Sequence, residues 1–290
     1  MTSAVIPAVQ SSRGYSLRLW TFVQRLGVSG CCAVAVLGLL VLVAIAAPII
    51  APYDPNFPNL LIALNYSSAE HWLGTDALGR DILSRLIYGA RITIVGPGLV
   101  ILLSTIIGTV LALCAAWCGG AVDTVISWVL DVLFAVPGIV FGLVAVAVFG
   151  PNLFNLVVGL SVAYIPYVAR VVRAAALRER SLPYVQAAQL QGQSSWGIVS
   201  KQILPNVQPL IVAQAVSSLG FAVIDLAALS FLGLGVQPPT ADLGLMVKAG
   251  FDSMMRGYPL EGICAGITIV AIVWSVTVIG DKLTNNARSM

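Results

Sequence analysis

The sequence predicts an all-α membrane protein with six transmembrane helices and both termini in the cytoplasm. Three observations carry that prediction. Of 290 residues, 59% are hydrophobic and only 9% charged, whereas soluble domains carry roughly 25% charged residues. A soluble enzyme of this composition would lack the polar surface to cover itself, and disorder is excluded by the same figures. The apolar residues fall in continuous runs suited to helical crossings of about 20 residues, not in the alternation over about ten residues that marks barrel strands. Finally, basic residues are shared unequally between alternate connecting segments, which sets orientation. The net charge of +3 is too small to argue for a nucleic-acid partner.

The elements follow in order. Residues 1–26 form a polar N-terminal tail with Arg13, Arg18 and Arg25 and no cleavage-type boundary. The apolar run at 28–50 exceeds the roughly 7–15 residues of a signal-peptide core, so it is a retained first span. Residues 27–88 comprise this span and an extracytoplasmic segment, in a proline-rich polar stretch that reaches about residue 91 and holds the only histidine, His71. The core, 89–282, holds further spans at 92–117, 122–149, 153–172, 207–234 and 262–279, and 283–290 is a C-terminal tail. Pro97, Gly108, Pro137 and Pro166 do not veto these helices, because neighbouring helices satisfy freed backbone groups. With the N-terminus inside, the inner segments hold ten basic residues, among them Arg170, Arg173, Arg178, Arg180 and Lys201, against five outside.

One inner segment, the loop 173–206, is too long for a turn. Ser181 is expected as an N-cap with Pro183 in the first turn of a helix over 184–191. Gly192 breaks it, a second short helix spans 195–202, and Pro205 stops that one. Val185, Leu190, Trp196 and Ile198 suit this helix–glycine–helix unit to docking.

Chemical motifs are sparse. Gly27-Val28-Ser29-Gly30 resembles a serine-protease fragment, but His71 lies on the opposite side of the membrane and no base reaches Ser29. None of the three lysines stands in a Gly-Lys-Ser/Thr phosphate loop. Cys31, Cys32, Cys114, Cys118 and Cys264 lack metal-type spacing and read as small buried apolar residues. No catalytic or metal-binding residue is expected. Gly138 and Gly142 form a GxxxG spacing compatible with close helix crossing. Asp131 and Asp225 lie well within apolar runs without an evident arginine partner, which makes a weak ion relay and leaves them as pathway polar residues or structurally satisfied ones. These facts fit a translocation subunit driven by a separate ATPase, and equally a scaffold or membrane receptor.

Three stretches sharpen the reading. Residues 71–91 begin His71-Trp72-Leu73-Gly74-Thr75-Asp76-Ala77-Leu78-Gly79-Arg80-Asp81. Pro183-Tyr184-Val185-Gln186-Ala187-Ala188 is followed by Gly192 and Ile203-Leu204-Pro205-Asn206. Residues 227–240 read Ala-Ala-Leu-Ser-Phe-Leu-Gly-Leu-Gly-Val-Gln-Pro-Pro-Thr. Over about residues 28–282 the chain resembles the C-type permease subunits of bacterial dipeptide/oligopeptide importers of the ATP-binding-cassette (ABC) class.

The resemblance implies a type I ABC importer permease fold in the bacterial inner membrane, in contact with lipid. It implies a second, homologous permease as partner, two ATPase subunits or domains that bind ATP and magnesium, and an extracytoplasmic solute-binding protein delivering peptide. No cofactor is expected on this chain. Tyr184, Gln186, Ala187, Ala188, Gly192, Leu204 and Pro205 correspond to the ATPase-coupling loop, with Ala187 and Ala188 presented as a flat surface. Gln186 departs from the glutamate usual there, so the contact is expected to be an uncharged hydrogen bond or to lie elsewhere. Gly74, Asp76, Arg80 and Asp81 form an extracytoplasmic cap or a binding-protein contact. Related permeases for nickel, haem-like or other small solutes share these features. An ion-coupled secondary carrier is the rival of another class.

Overall fold

A computed structural model describes residues 14–288, and the side chains of 27–285. The chain forms α1 (Gly14–Ile45), α2 (Ala47–Ile50), α3 (Ile82–Cys118), α4 (Gly120–Ala135), α5 (Gly138–Phe149), α6 (Leu153–Arg180), α7 (Pro183–Leu190), α8 (Ser195–Ile198), α9 (Leu204–Phe231), α10 (Leu243–Met254) and α11 (Leu260–Arg288). Among the described residues the only β pairing is a single bridge between Thr75 and Asp81.

Among the described residues, five helices are long and apolar enough to cross a membrane alone: Gly27–Ile45, Ile82–Cys118, Leu153–Arg180, Ser195–Phe231 and Leu260–Asn285. The sixth crossing, expected as one continuous helix over 122–149, is broken: α4 and α5 meet at 85°. Pro137 stands at the break. A residue preceding proline is driven towards extended backbone, and Val136 takes φ −92°, ψ 128° before Pro137 caps α5. Pro97 and Pro166 stay inside α3 and α6.

Other expected boundaries move too. α3 starts at Ile82 rather than 92, because Asp81 caps it by accepting from the Ser84 amide. The chain is helical from Gly14, with a kink at Gly27, and α11 continues to Arg288; residues 1–13 and 289–290 of the expected tails lie outside the described residues. Cys32, Cys114 and Cys118 are exposed on the bundle surface rather than buried.

Because the six crossings alternate, the turns fall at two ends. The cap end carries 51–81 and 232–259, and the loop end carries the α3–α4 turn and α7–α8. Contact across the cap end is direct, since the Tyr66 and Tyr258 rings lie 4.7 Å apart. Three apolar clusters fill the bundle. Small side chains such as Ala112, Ala163, Ala169 and Ala222 sit at its centre, which lets helices approach closely without a solvent-driven hydrophobic force. Leu39, Leu42, Val110, Val148, Ile267 and Val270 point outward.

Candidate functional site

Three regions hold the residues singled out by sequence. At the loop end, α6 stays helical to Arg180, so the connecting segment begins eight residues later than 173. Ser181 does not cap α7. Its hydroxyl returns to the Arg178 carbonyl at 2.7 Å, and Leu182 takes the N-cap position without a side-chain bond. Gly192 has φ +75°, a left-handed turn that glycine adopts without steric cost. Pro205 does not end the following helix. A π turn over Val199–Ile203 carries the Leu204 amide to the Val199 carbonyl, and α9 continues through Pro205 into the bundle. A π turn relaxes the ladder where proline cannot donate.

The α7–α8 unit is anchored rather than solvated. Val185, Ala188, Ile198 and Ile203 are buried in one cluster with Ala112, Ala116, Val168 and Val172 of the long helices, and Leu204 packs against it. Ala188, expected on the presented surface, therefore faces inward, and only Ala187 of the pair is exposed. Tyr184 and Asn206 both reach Glu179. The Tyr184 hydroxyl donates to Glu179 Oε1, and Asn206 Nδ2 donates to Glu179 Oε1 at 2.9 Å and to the Tyr184 oxygen at 2.8 Å. Burial and the Glu179 contact push the Tyr184 hydroxyl above its ordinary value, keeping it a donor. Gln186 Nε2 donates to the Ser181 carbonyl at 3.2 Å, and its side chain remains exposed. Leu190 and Trp196, 91% and 79% exposed, flank this turn.

A polar stripe runs from the loop end into the bundle on α4, α6 and α9. Asp131 is not without a basic partner: Arg170 Nη2 lies 2.7 Å from its Oδ1. Arg173 clasps Asp123 in a fork, both contacts 2.5 Å. Arg170 also lies 4.0 Å over the Phe134 ring, and Phe134 stacks against Tyr167 at 4.9 Å. Farther along, Tyr164 donates to Asp225 Oδ2 at 2.8 Å. Asp225 opens on a cavity of about 510 Å³ lined by Tyr164, Tyr167, Gln214, Ser217 and Ser218 and floored by the α4–α5 break at Pro137 and Gly138. The structure thus brings Asp225 and Asp131 onto one face but into different surroundings. Tyr164 and Tyr167 were not singled out beforehand, and Arg170 and Arg173 only as basic residues that set orientation, although their three-residue spacing on one helix is a face that the sequence displays.

At the cap end, Gly74, Asp76, Arg80 and Asp81 form one compact turn. Asp76 Oδ1 accepts from the Leu78 and Arg80 amides at 2.8 and 2.9 Å, while Oδ2 pairs with Arg80 Nε at 2.7 Å. Asp81 accepts from Ser84 and contacts His71 Nδ1 at 3.0 Å. Arg85 Nη1 ties the turn to the Pro55 and Pro239 carbonyls at 2.9 and 3.3 Å. Asp76, Arg80 and Asp81 are all buried. Gly79 has φ +72°, and a Cβ there would lie 1.8 Å from the Asn59 carbonyl oxygen.

The family model described as "Binding-protein-dependent transport system inner membrane component" matches residues 104–286. The di/tripeptide transport system permease protein DppC of Pseudomonas aeruginosa (strain UCBPP-PA14) is 36% identical over 251 residues, covering 84% of this chain and 82% of that protein. The glutathione transport system permease protein GsiD of Pectobacterium atrosepticum is 37% identical over 246 residues, covering 84% and 81%. A chain of the MetNI methionine ABC transporter, solved in inward-facing conformations, shares the fold with a TM-score of 0.57 at 20% identity, over 71% of this chain and 97% of that one.

Proposed function

The chain belongs to the binding-protein-dependent transport system inner membrane component family and is an integral inner-membrane permease; from that premise we propose that it forms half of the transmembrane pathway of an ATP-driven importer of short peptides. The observation that carries the reading is the polar stripe from Asp123 and Arg173 to Asp225, partly exposed along its length and open at Asp131 and Arg170. Charged side chains in apolar helices do not face hydrocarbon, so such a face borders water or another subunit. A second permease covering it would enclose a polar route between two bundles.

The rest of the machine follows from that placement. The excess of basic residues at the loop end sets it in the cytoplasm, where Leu190, Trp196, Tyr184, Gln186 and Ala187 offer a contact surface to an ATPase partner. ATP and magnesium belong to that partner. Its movement reaches the spans because Val185, Ala188 and Ile198 share a cluster with α3, α6 and α9, so the turn and the helices shift as one body. The cap end faces the solute-binding protein. Peptide is favoured as solute because the relatives at 34–37% identity bear names of dipeptide, di/tripeptide, D,D-dipeptide and glutathione systems.

The test is reconstitution in vesicles of the chain with its co-purifying subunits and binding protein. ATP-dependent uptake of a labelled dipeptide supports the reading. Uptake by this chain alone under an ion gradient, or ATP-driven uptake of nickel and not of peptide, overturns it.

A further inference from the structure

We propose that Asp225 is a binding site for the α-ammonium group of the passing peptide, a proposal that rests on the importer reading. Asp225 stands at the α4–α5 break, and Tyr164, midway along α6, occupies one of its oxygens at 2.8 Å. Oδ1 accepts no hydrogen bond among the described residues. None of the residues lining the cavity is basic, whereas Asp131 and Asp123, nearer the loop end, each have an arginine. An intramembrane carboxylate without a cation on its own chain needs water, a basic group of the covering subunit or a cationic visitor, and a cavity of this size favours the visitor. The cavity's roughly 510 Å³ lies within the about 300–1,000 Å³ usual for small-molecule sites.

The single charge in the cavity wall, the Asp225 carboxylate, favours the cationic end of a peptide over its carboxylate. Asp225 Oδ1 is acceptor-only, the Tyr164, Ser217 and Ser218 hydroxyls and the Gln214 amide can add acceptor oxygens beside it, and an ammonium carries three donors. Tyr167 and Phe221 leave the rest of the wall aromatic, tolerant of varied side chains. A transporter of many sequences has only the main chain and its two ends as constant features. The carboxylate here reads the positive end.

The experiment uses the purified complex without its solute-binding protein, in lipid nanodiscs. Saturation-transfer NMR is recorded with alanyl-alanine and with N-acetyl-alanyl-alanine at equal concentration, on the native complex and on Asp225→Asn. N-acetylation and the substitution should each lower the transferred signal at least five-fold. Equal signals from the two peptides on the native complex, no signal from either, or full signal on Asp225→Asn would overturn the proposal. If Asp225→Asn does not assemble, the two-peptide comparison on the native complex decides alone. The importer reading fails separately, through absence of ATP-driven dipeptide uptake in vesicles, which does not depend on the NMR outcome.

Discussion

Arg170 on α6 holds Asp131 on α4 at 2.7 Å while both side chains stay open, 42% and 66% exposed. A pair so open in water is worth about 0–1 kcal/mol, yet the same pair facing hydrocarbon would be far costlier to break. Asp131→Asn therefore distinguishes a wet face from a lipid face. We expect it to change the unfolding free energy of the purified complex by about 1 kcal/mol or less, while ATP-driven uptake falls several-fold. A loss of several kcal/mol in denaturant titration would place the pair away from water.

The Tyr184–Glu179–Asn206 network joins α7 to the ends of α6 and α9. Tyr184→Phe removes the hydroxyl from Glu179 and Asn206, at about 1 kcal/mol of local stability. The ATPases should still co-purify, but α7 would move less faithfully with the spans. ATP hydrolysed per peptide transported should rise two- to five-fold. An unchanged ratio in matched uptake and phosphate-release assays would remove this network from the coupling route.

Much of this was legible in the sequence for a physical reason. Crossings show as apolar runs because a bilayer demands them, and Gly192 marked the loop turn because its backbone sign is nearly restricted to glycine. The α4–α5 break was not legible, since Pro97 and Pro166 look alike on paper and stay inside helices; tertiary contacts decide which proline opens a helix. Pro205 was misread for the converse reason, a π turn having accommodated it. Asp131 looked unpaired because Arg170 is 39 residues away and its place on α6 counted as a cytoplasmic edge. The inward turn of Ala188 depended on helix phase, which an eight-residue helix does not declare.

Gly79 makes the cap turn. Its φ of +72° and the Asn59 carbonyl oxygen, 1.8 Å from an added Cβ, leave no room for alanine without moving backbone. A left-handed non-glycine residue costs about 1–3 kcal/mol before any clash. Gly79→Ala should therefore loosen the 51–81 segment, cutting the yield of assembled complex several-fold and exposing the segment to added protease. Protease resistance equal to the native complex would show that the segment can shift to accept the methyl group.

Asp242 gives a pH test outside the spans. Its Oδ1 caps α10 by accepting from the Leu245 amide at 3.1 Å, but the residue is only 1% exposed. Burial raises its pKa above the ordinary aspartate value, with the Leu245 amide, the Ser230 hydroxyl and the Gly244 amide offsetting part of the rise. The folded chain therefore holds this proton more tightly than the unfolded chain. Its contribution to stability is fully present below the unfolded value of about 3.9 and is lost as pH rises through the folded pKa. Asp242→Asn keeps the capping oxygen and never acquires the charge. The variant should match the native complex in acid and exceed it near neutral pH, read from denaturant unfolding across a pH series. A variant less stable than the native complex at neutral pH would mean that the ionised carboxylate is favoured in the fold, and the sign of this shift would be reversed.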